Sequence, residues 1–164
     1  MKLSLSINTG GDSEGDSSVL PEKAAEVLEG ELAEIYPASE NYDFAEISLS
    51  FVTPDEIRKL NFDYRNIDEA TDVLSFPLID FAEENNIEKI PVLALGDIVI
   101  CREEVSRLHP ELDEREGICL MIAHSFLHLL GFDHDTDEKQ DLMWRRQDEI
   151  KSKILAAIAS KEKN

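Results

Sequence analysis

Basic residues are scarce in this chain. It carries 16 Lys and Arg against 36 Asp and Glu, a formal net charge of −20. A protein that grips nucleic acid nonspecifically shows a basic excess or at least a basic stripe, so strong nonspecific binding is disfavoured. A local basic cleft is not excluded, and acidic excess can also serve solubility or reflect the salt conditions of the host. Long apolar runs are missing too. None approaches the ~20 residues of a membrane helix, and no membrane partner is expected. Residues 1–8 alternate apolar and polar without the apolar segment of a signal peptide, so a cytoplasmic location is the expectation. Cysteine is nearly absent. Cys101 and Cys119 lie in apolar segments without a CxxC partner, which predicts buried free thiols rather than a disulfide or a thiolate metal site.

What the chain does have is histidine in one place. Three of its four histidines, His124, His128 and His134, fall within eleven residues. His124 and His128 are four apart, so on a helix they share a face one turn apart. Gly131 can adopt the left-handed conformation that ends a helix, letting the chain bring His134 back toward the first two imidazoles. The stretch 118–130 is apolar almost all round, as in a buried helix. Histidines there need partners, and a metal ion supplies one. Three neutral imidazoles suit zinc, one ion per chain, with a fourth position left for water. That arrangement marks a catalytic rather than a structural site.

The length of 164 residues fits one domain, 1–164. Strands are predicted at 3–8, 44–52, 71–77 and 92–101, the last buried on both faces. Helices are predicted at 21–36, at 54–64 with Thr53 and Glu56 forming a capping box, and at 102–108. Another begins after the cap Asp113 and carries the histidines. The last begins at Thr136 or Asp137 and runs toward 159, with Leu142, Ile150, Ile154 and Ile158 as its apolar face. Residues 9–18 read as a mobile Gly/Ser/Asp loop, 80–89 as an acidic connection and 160–164 as a frayed tail. The expected architecture is α+β: one domain with a mixed four-stranded sheet and about five helices, the metal site on a buried helix and the following turn.

The spacing His-x3-His-x2-Gly-x2-His matches the metzincin peptidase pattern at all but one position. Where those enzymes carry the Glu that activates water, this chain has Ser125, which cannot serve as a carboxylate base. Peptide hydrolysis is therefore the least favoured reading. Chemistry in which the metal does most of the work remains open.

Two blocks make the chain resemble the YbeY family of bacterial rRNA maturation endoribonucleases. One is Leu60-Asn61-x2-Tyr64-Arg65-x5-Thr71-Asp72-Val73-Leu74-Ser75-Phe76-Pro77, and the other is His124-x3-His128-Leu129-x-Gly131-Phe132-Asp133-His134. Between them, Leu95-Gly96-Asp97-Ile98 is similar to the family's central strand. The resemblance implies zinc on His124, His128 and His134 and a functional arginine at Arg65. It implies a single-strand-specific endoribonuclease acting in 16S rRNA 3′-end maturation and ribosome quality control. rRNA and the ribosome or its subunits would then be the partners, and no DNA is expected. Two positions depart from the family pattern: Ser125 replaces the usual Gly and Phe132 the usual Tyr. The competing class is a non-catalytic ribosome assembly factor with a structural zinc, which the acidic balance favours and the open three-ligand site disfavours.

The remaining candidates keep alternatives. Arg65 either holds a phosphate bidentately or pairs with Asp68 or Asp72 as a clamp; the resemblance favours the first. Arg65 and His128 are the catalytic candidates, with Arg65, Thr71, Asp72 and Ser75 as substrate-binding candidates. Asp72 either supports a histidine, partners Arg65, or forms a turn. Asp133 either orients an imidazole, acts as a base, or caps the turn, the last being commonest. Asp97, in an apolar strand, is expected to be buried with a partner. His109, at a helix end before Pro110, is expected to be exposed. Arg145 and Arg146 read as a solvated face with Trp144 tucked inward.

Overall fold

A computed structural model of the chain describes residues 2–8, 19–79 and 92–163. The expected mobile loop at 9–18 and acidic connection at 80–89 lie outside these residues. The fold is α+β. Strands β1 (Lys2–Asn8), β2 (Phe44–Phe51), β3 (Val73–Pro77) and β4 (Val92–Ile100) form a sheet in the order β1-β2-β4-β3. The first three are parallel and β3 runs antiparallel on the edge. The described helices are α1 (Val19–Ile35), α2 (Pro54–Arg65), α3 (Arg102–Leu108), α4 (Glu114–Leu129) and α5 (Asp137–Glu162), with a 3-10 turn at Pro37–Asn41.

Strand β2 alternates cleanly, burying Ala45, Ile47, Leu49 and Phe51. Strand β4 does not. Glu46 pairs with Ala94 but Ile47 pairs with Gly96, so Leu95 is an extra residue and a bulge inverts the strand's alternation. Leu93 and Leu95 before the bulge and Ile98 and Ile100 after it therefore face one core, although their spacing breaks period two. The same inversion sends Asp97 to the opposite face, where it is exposed, so the expected buried carboxylate is not found. Only the end of β4 is covered on both faces: Val99 joins Ile57, Leu74 and Cys101 in a small cluster under α2.

Gly96 has φ +145°, and a Cβ there would run into the Phe76 carbonyl and lie 2.8 Å from Leu129 Cδ2. Glycine lets β3 and the end of α4 close on β4 at that point. Helix α4 is enclosed by β3, β4, α3 and α5. It buries Ile118, Met121, Ile122, Phe126, Leu127 and Leu129 among others, each such side chain contributing about 1.5–3 kcal/mol of transfer free energy. The enclosure explains the all-round apolar sequence. Both cysteines are free and buried, and burial pushes Cys101 up to about 11 and Cys119 up to about 12, which holds both as protonated thiols at neutral pH.

The helix starts follow local chemistry. The side chains of Thr53, Asp113 and Thr136 each accept a backbone N–H three residues on, from Glu56, Glu116 and Lys139. Helix α5 presents Met143, Ile150, Ile154 and Ile158 inward; Leu142, expected on that face, is exposed. Glu31 of α1, 2 % exposed, accepts from Arg146 and Lys153 of α5. A buried carboxylate is tolerated there because two cations meet it. Arg146 is thus an interhelix clamp and not part of a solvated face. Helix α5 continues to Glu162, which ion-pairs with Arg115 at 2.8 Å, across the stretch expected to fray.

Candidate metal centre

Helix α4 ends in a Schellman turn. Gly131, φ +90°, donates its N–H to the His128 carbonyl at 3.0 Å, and Phe132 N–H reaches the Leu127 carbonyl at 2.9 Å. The turn has a second consequence, because the Phe132 carbonyl now faces His128 and accepts from its Nδ1 at 2.9 Å. A carbonyl only accepts, so Nδ1 carries the proton. On the next helix, Gln147 Oε1 accepts from His124 Nδ1 at 2.8 Å. Both rings are thereby fixed with the proton on Nδ1 and the lone pair on Nε2.

Those two Nε2 atoms lie 3.1 Å apart. Neither carries a proton to share while both rings are neutral, so two lone pairs oppose each other, a contact that a cation between them relieves. Nitrogens ligating one metal at about 2.0–2.1 Å stand roughly 3.3 Å from each other, so the separation suits a shared ion. His134 completes the set: ligand atoms of His124, His128 and His134 all lie within 4.8 Å of one another, and the group could hold a metal ion. Burial lowers the His124 pKa below the ordinary imidazole value, opposed by the Gln147 hydrogen bond. Burial lowers that of His128 too, reinforced by the neighbouring His124. Both effects favour the neutral, ligating form.

The three histidines line a cleft of about 410 Å³ with Arg65, Val73, Ser75, Pro77 and Asp133. Alternation on β3 points Val73, Ser75 and Pro77 toward it. Arg65 is the last residue of α2, where Asn66 in the left-handed conformation ends the helix. It donates to the Ser75 carbonyl at 3.2 Å and so stands at the rim of the histidine cleft. It makes no clamp with Asp68, which is held by Arg58 at 2.8 Å.

Other candidates fall elsewhere. Asp72 accepts from Val73 N–H at 2.8 Å and from the Thr71 hydroxyl at 3.2 Å through one oxygen. Its other oxygen meets His109 Nε2 at 2.9 Å. Thr71 and Asp72 therefore lie beside β3 and not on the cleft surface. His109, expected to be exposed, is partly buried by that contact. Asp133 lines the cleft while accepting from His134 N–H at 2.7 Å, a local turn contact. Ser125 is fully buried and off the cleft.

Gln147 escaped the sequence reading, and Trp144, expected to be tucked inward, stands partly exposed beside the histidines. The Trp144 ring, 37 % exposed, lies 5.8 Å from that of His124 and 5.5 Å from that of His134. The available signal was faint: Gln147 is the polar member of the inward series Met143, Gln147, Ile150, Ile154.

Fold and site together define an α+β protein with three imidazoles, on a helix and its C-terminal turn, that could hold a metal ion in a cleft flanked by arginine. The family model described as Endoribonuclease YbeY matches residues 12–155, and the chain belongs to that family. A relative in Thermoanaerobacter sp. (strain X514), named Endoribonuclease YbeY, is 41% identical over 79% of this chain and 86% of its own. One of the same name in Clostridioides difficile (strain 630) is 45% identical over 68% and 73%. The solution structure of TM1509 from Thermotoga maritima is similar over 96% of this chain and 93% of that one, with 28% identity and a TM-score of 0.52.

Proposed function

We propose that the chain is a metal-dependent, single-strand-specific endoribonuclease acting in rRNA processing, at the 3′ end of 16S rRNA, and in ribosome quality control. Family membership supports the reaction class. The observation that carries the site is that Arg65 lines the same cleft as the three histidines. His124, His128 and His134 would hold one zinc ion, which when bound supplies Lewis acidity toward a phosphoryl oxygen and makes water a better nucleophile. The chain's own residues do the rest. Gln147 and the Phe132 carbonyl keep two imidazoles in the ligating tautomer. Arg65, tethered to Ser75 by one N–H, keeps further donors for a phosphate in the cleft and for the charge that develops during cleavage. Ser75 lines the same cleft. The setting is cytoplasmic, with the ribosome or its subunits as the macromolecular partner.

The net charge of −20 favours a second reading, an assembly factor whose zinc only holds the fold. Arg65→Ala separates the two. On a single-stranded rRNA fragment, kcat should fall about 100-fold with metal content unchanged. Unchanged cleavage would remove Arg65 from the reaction. Absence of cleavage by the metal-loaded, folded parent would favour the assembly factor.

A further inference from the structure

Helix α5 meets the histidine cluster at two points, through Gln147 and Trp144. These residues are three apart, so they stand one turn from each other on the same side of the helix. Gln147 sits at a level where the helix otherwise presents Met143, Ile150 and Ile154 to the core. A polar amide in such a stripe is costly unless its groups are used. Its Oε1 is used, on His124 Nδ1. His128 is oriented by a backbone carbonyl only four residues away, delivered by the helix end itself. His124 has its orienting group on a different helix, 23 residues on in sequence.

From this asymmetry we infer that Gln147 is a positioning residue of the metal centre. It holds His124 with Nε2 presented to the ion, and docking of α5 is what makes the three-histidine site competent. The inference rests on the reading of the cluster as a metal site. Without the Gln147 acceptor, His124 can place its proton on Nε2, where Nε2–H donates to the His128 Nε2 lone pair 3.1 Å away. That tautomer satisfies the histidine pair internally and withdraws two ligating nitrogens at once. Trp144 limits the alternatives further, since its ring stands against both His124 and His134 and hinders rotation of either ring away from the cleft. Groups that orient a ligating imidazole typically change metal affinity 10–100-fold when removed.

Co²⁺ is the probe, because its visible absorption reports the ligand set without any RNA present. Affinity for Co²⁺ would be measured on the full chain for the parent, Gln147→Leu and Gln147→Glu, alongside thermal unfolding of the metal-free proteins. Gln147→Leu should bind about 10–100-fold more weakly, with an altered absorption band. Gln147→Glu, which keeps an acceptor at the same reach, should bind at least as tightly as the parent. Equal affinity in parent and Gln147→Leu would overturn this inference while leaving the metal site standing. Weak binding by both variants alike would also overturn it, since a merely structural role would not be rescued by an acceptor. Failure of the parent to take up Co²⁺ would overturn both the inference and the metal reading. If Gln147→Leu does not fold, the comparison moves to Gln147→Asn, which is shorter by one methylene and should be weakened like Gln147→Leu.

Discussion

His124 and His128 reach the cleft as neutral imidazoles because burial, reinforced by the neighbouring histidines, lowers their pKa values; the acceptor at each Nδ1 opposes that shift and fixes the tautomer. The sign of the pH dependence follows. In the unfolded chain these rings titrate near about 6.5, while in the folded, metal-free protein they titrate lower. The unfolded state therefore binds protons first as pH falls. Metal-free stability should show no contribution from these groups above about pH 6.5 and should decline below it, down to the lowered folded values. Thermal midpoints of chelator-treated protein at several pH values would check this, and a midpoint that rises on acidification through that window would contradict it. At this scale the histidine cluster was legible, since His124, His128 and His134 sit in one short window whose spacing encodes a face and a turn. Their supports were not. The contact of Gln147 with His124 spans 23 residues, and no local pattern connects such a pair.

The helix end of α4 shows how one element builds a site. Gly131 in the left-handed region turns the chain, and the turn both aims the Phe132 carbonyl at His128 and returns His134. A side chain at this φ costs about 1–2 kcal/mol. Gly131→Ala should therefore lower stability by about that amount in urea unfolding and weaken metal binding in the same protein. A variant that binds metal normally would show the turn to be dispensable. The Phe132 ring plays no part in the ring-orienting contact, which is made by the backbone, so departure from Tyr at this position leaves that contact intact. Caps at Thr53, Asp113 and Thr136 were readable because each acts within three residues. The bulge in β4 was not, because it appears only when Leu95 is left unmatched against β2. Asp97 was misplaced because the strand was read as buried on both faces, whereas the bulge turns Asp97 to an exposed one.

Across the whole molecule the acidic balance takes on a definite form. Many of the basic side chains are already engaged, Arg58 with Asp68, Arg107 with Glu104, Arg115 with Glu162, and Arg146 and Lys153 with Glu31. Arg65 is the basic side chain lining the histidine cleft, and its described hydrogen bond is to a backbone carbonyl. A chain so acidic can thus still offer one cation where a phosphate would enter, while the rest of its charge offers little nonspecific grip on RNA. The α+β class was legible from the alternation of strand and helix patterns. The strand order was not, because it depends on which faces pack together once α1 and α4 cover the sheet. Metal-dependent RNA cleavage through the three histidines is the central claim, and one experiment tests it most directly. The purified chain is stripped with chelator, assayed on a single-stranded rRNA fragment, reloaded with zinc and assayed again, with His128→Ala in parallel. Cleavage should vanish on stripping, return on reloading and stay absent in His128→Ala. Cleavage that persists without metal, or that survives loss of His128, would contradict the account.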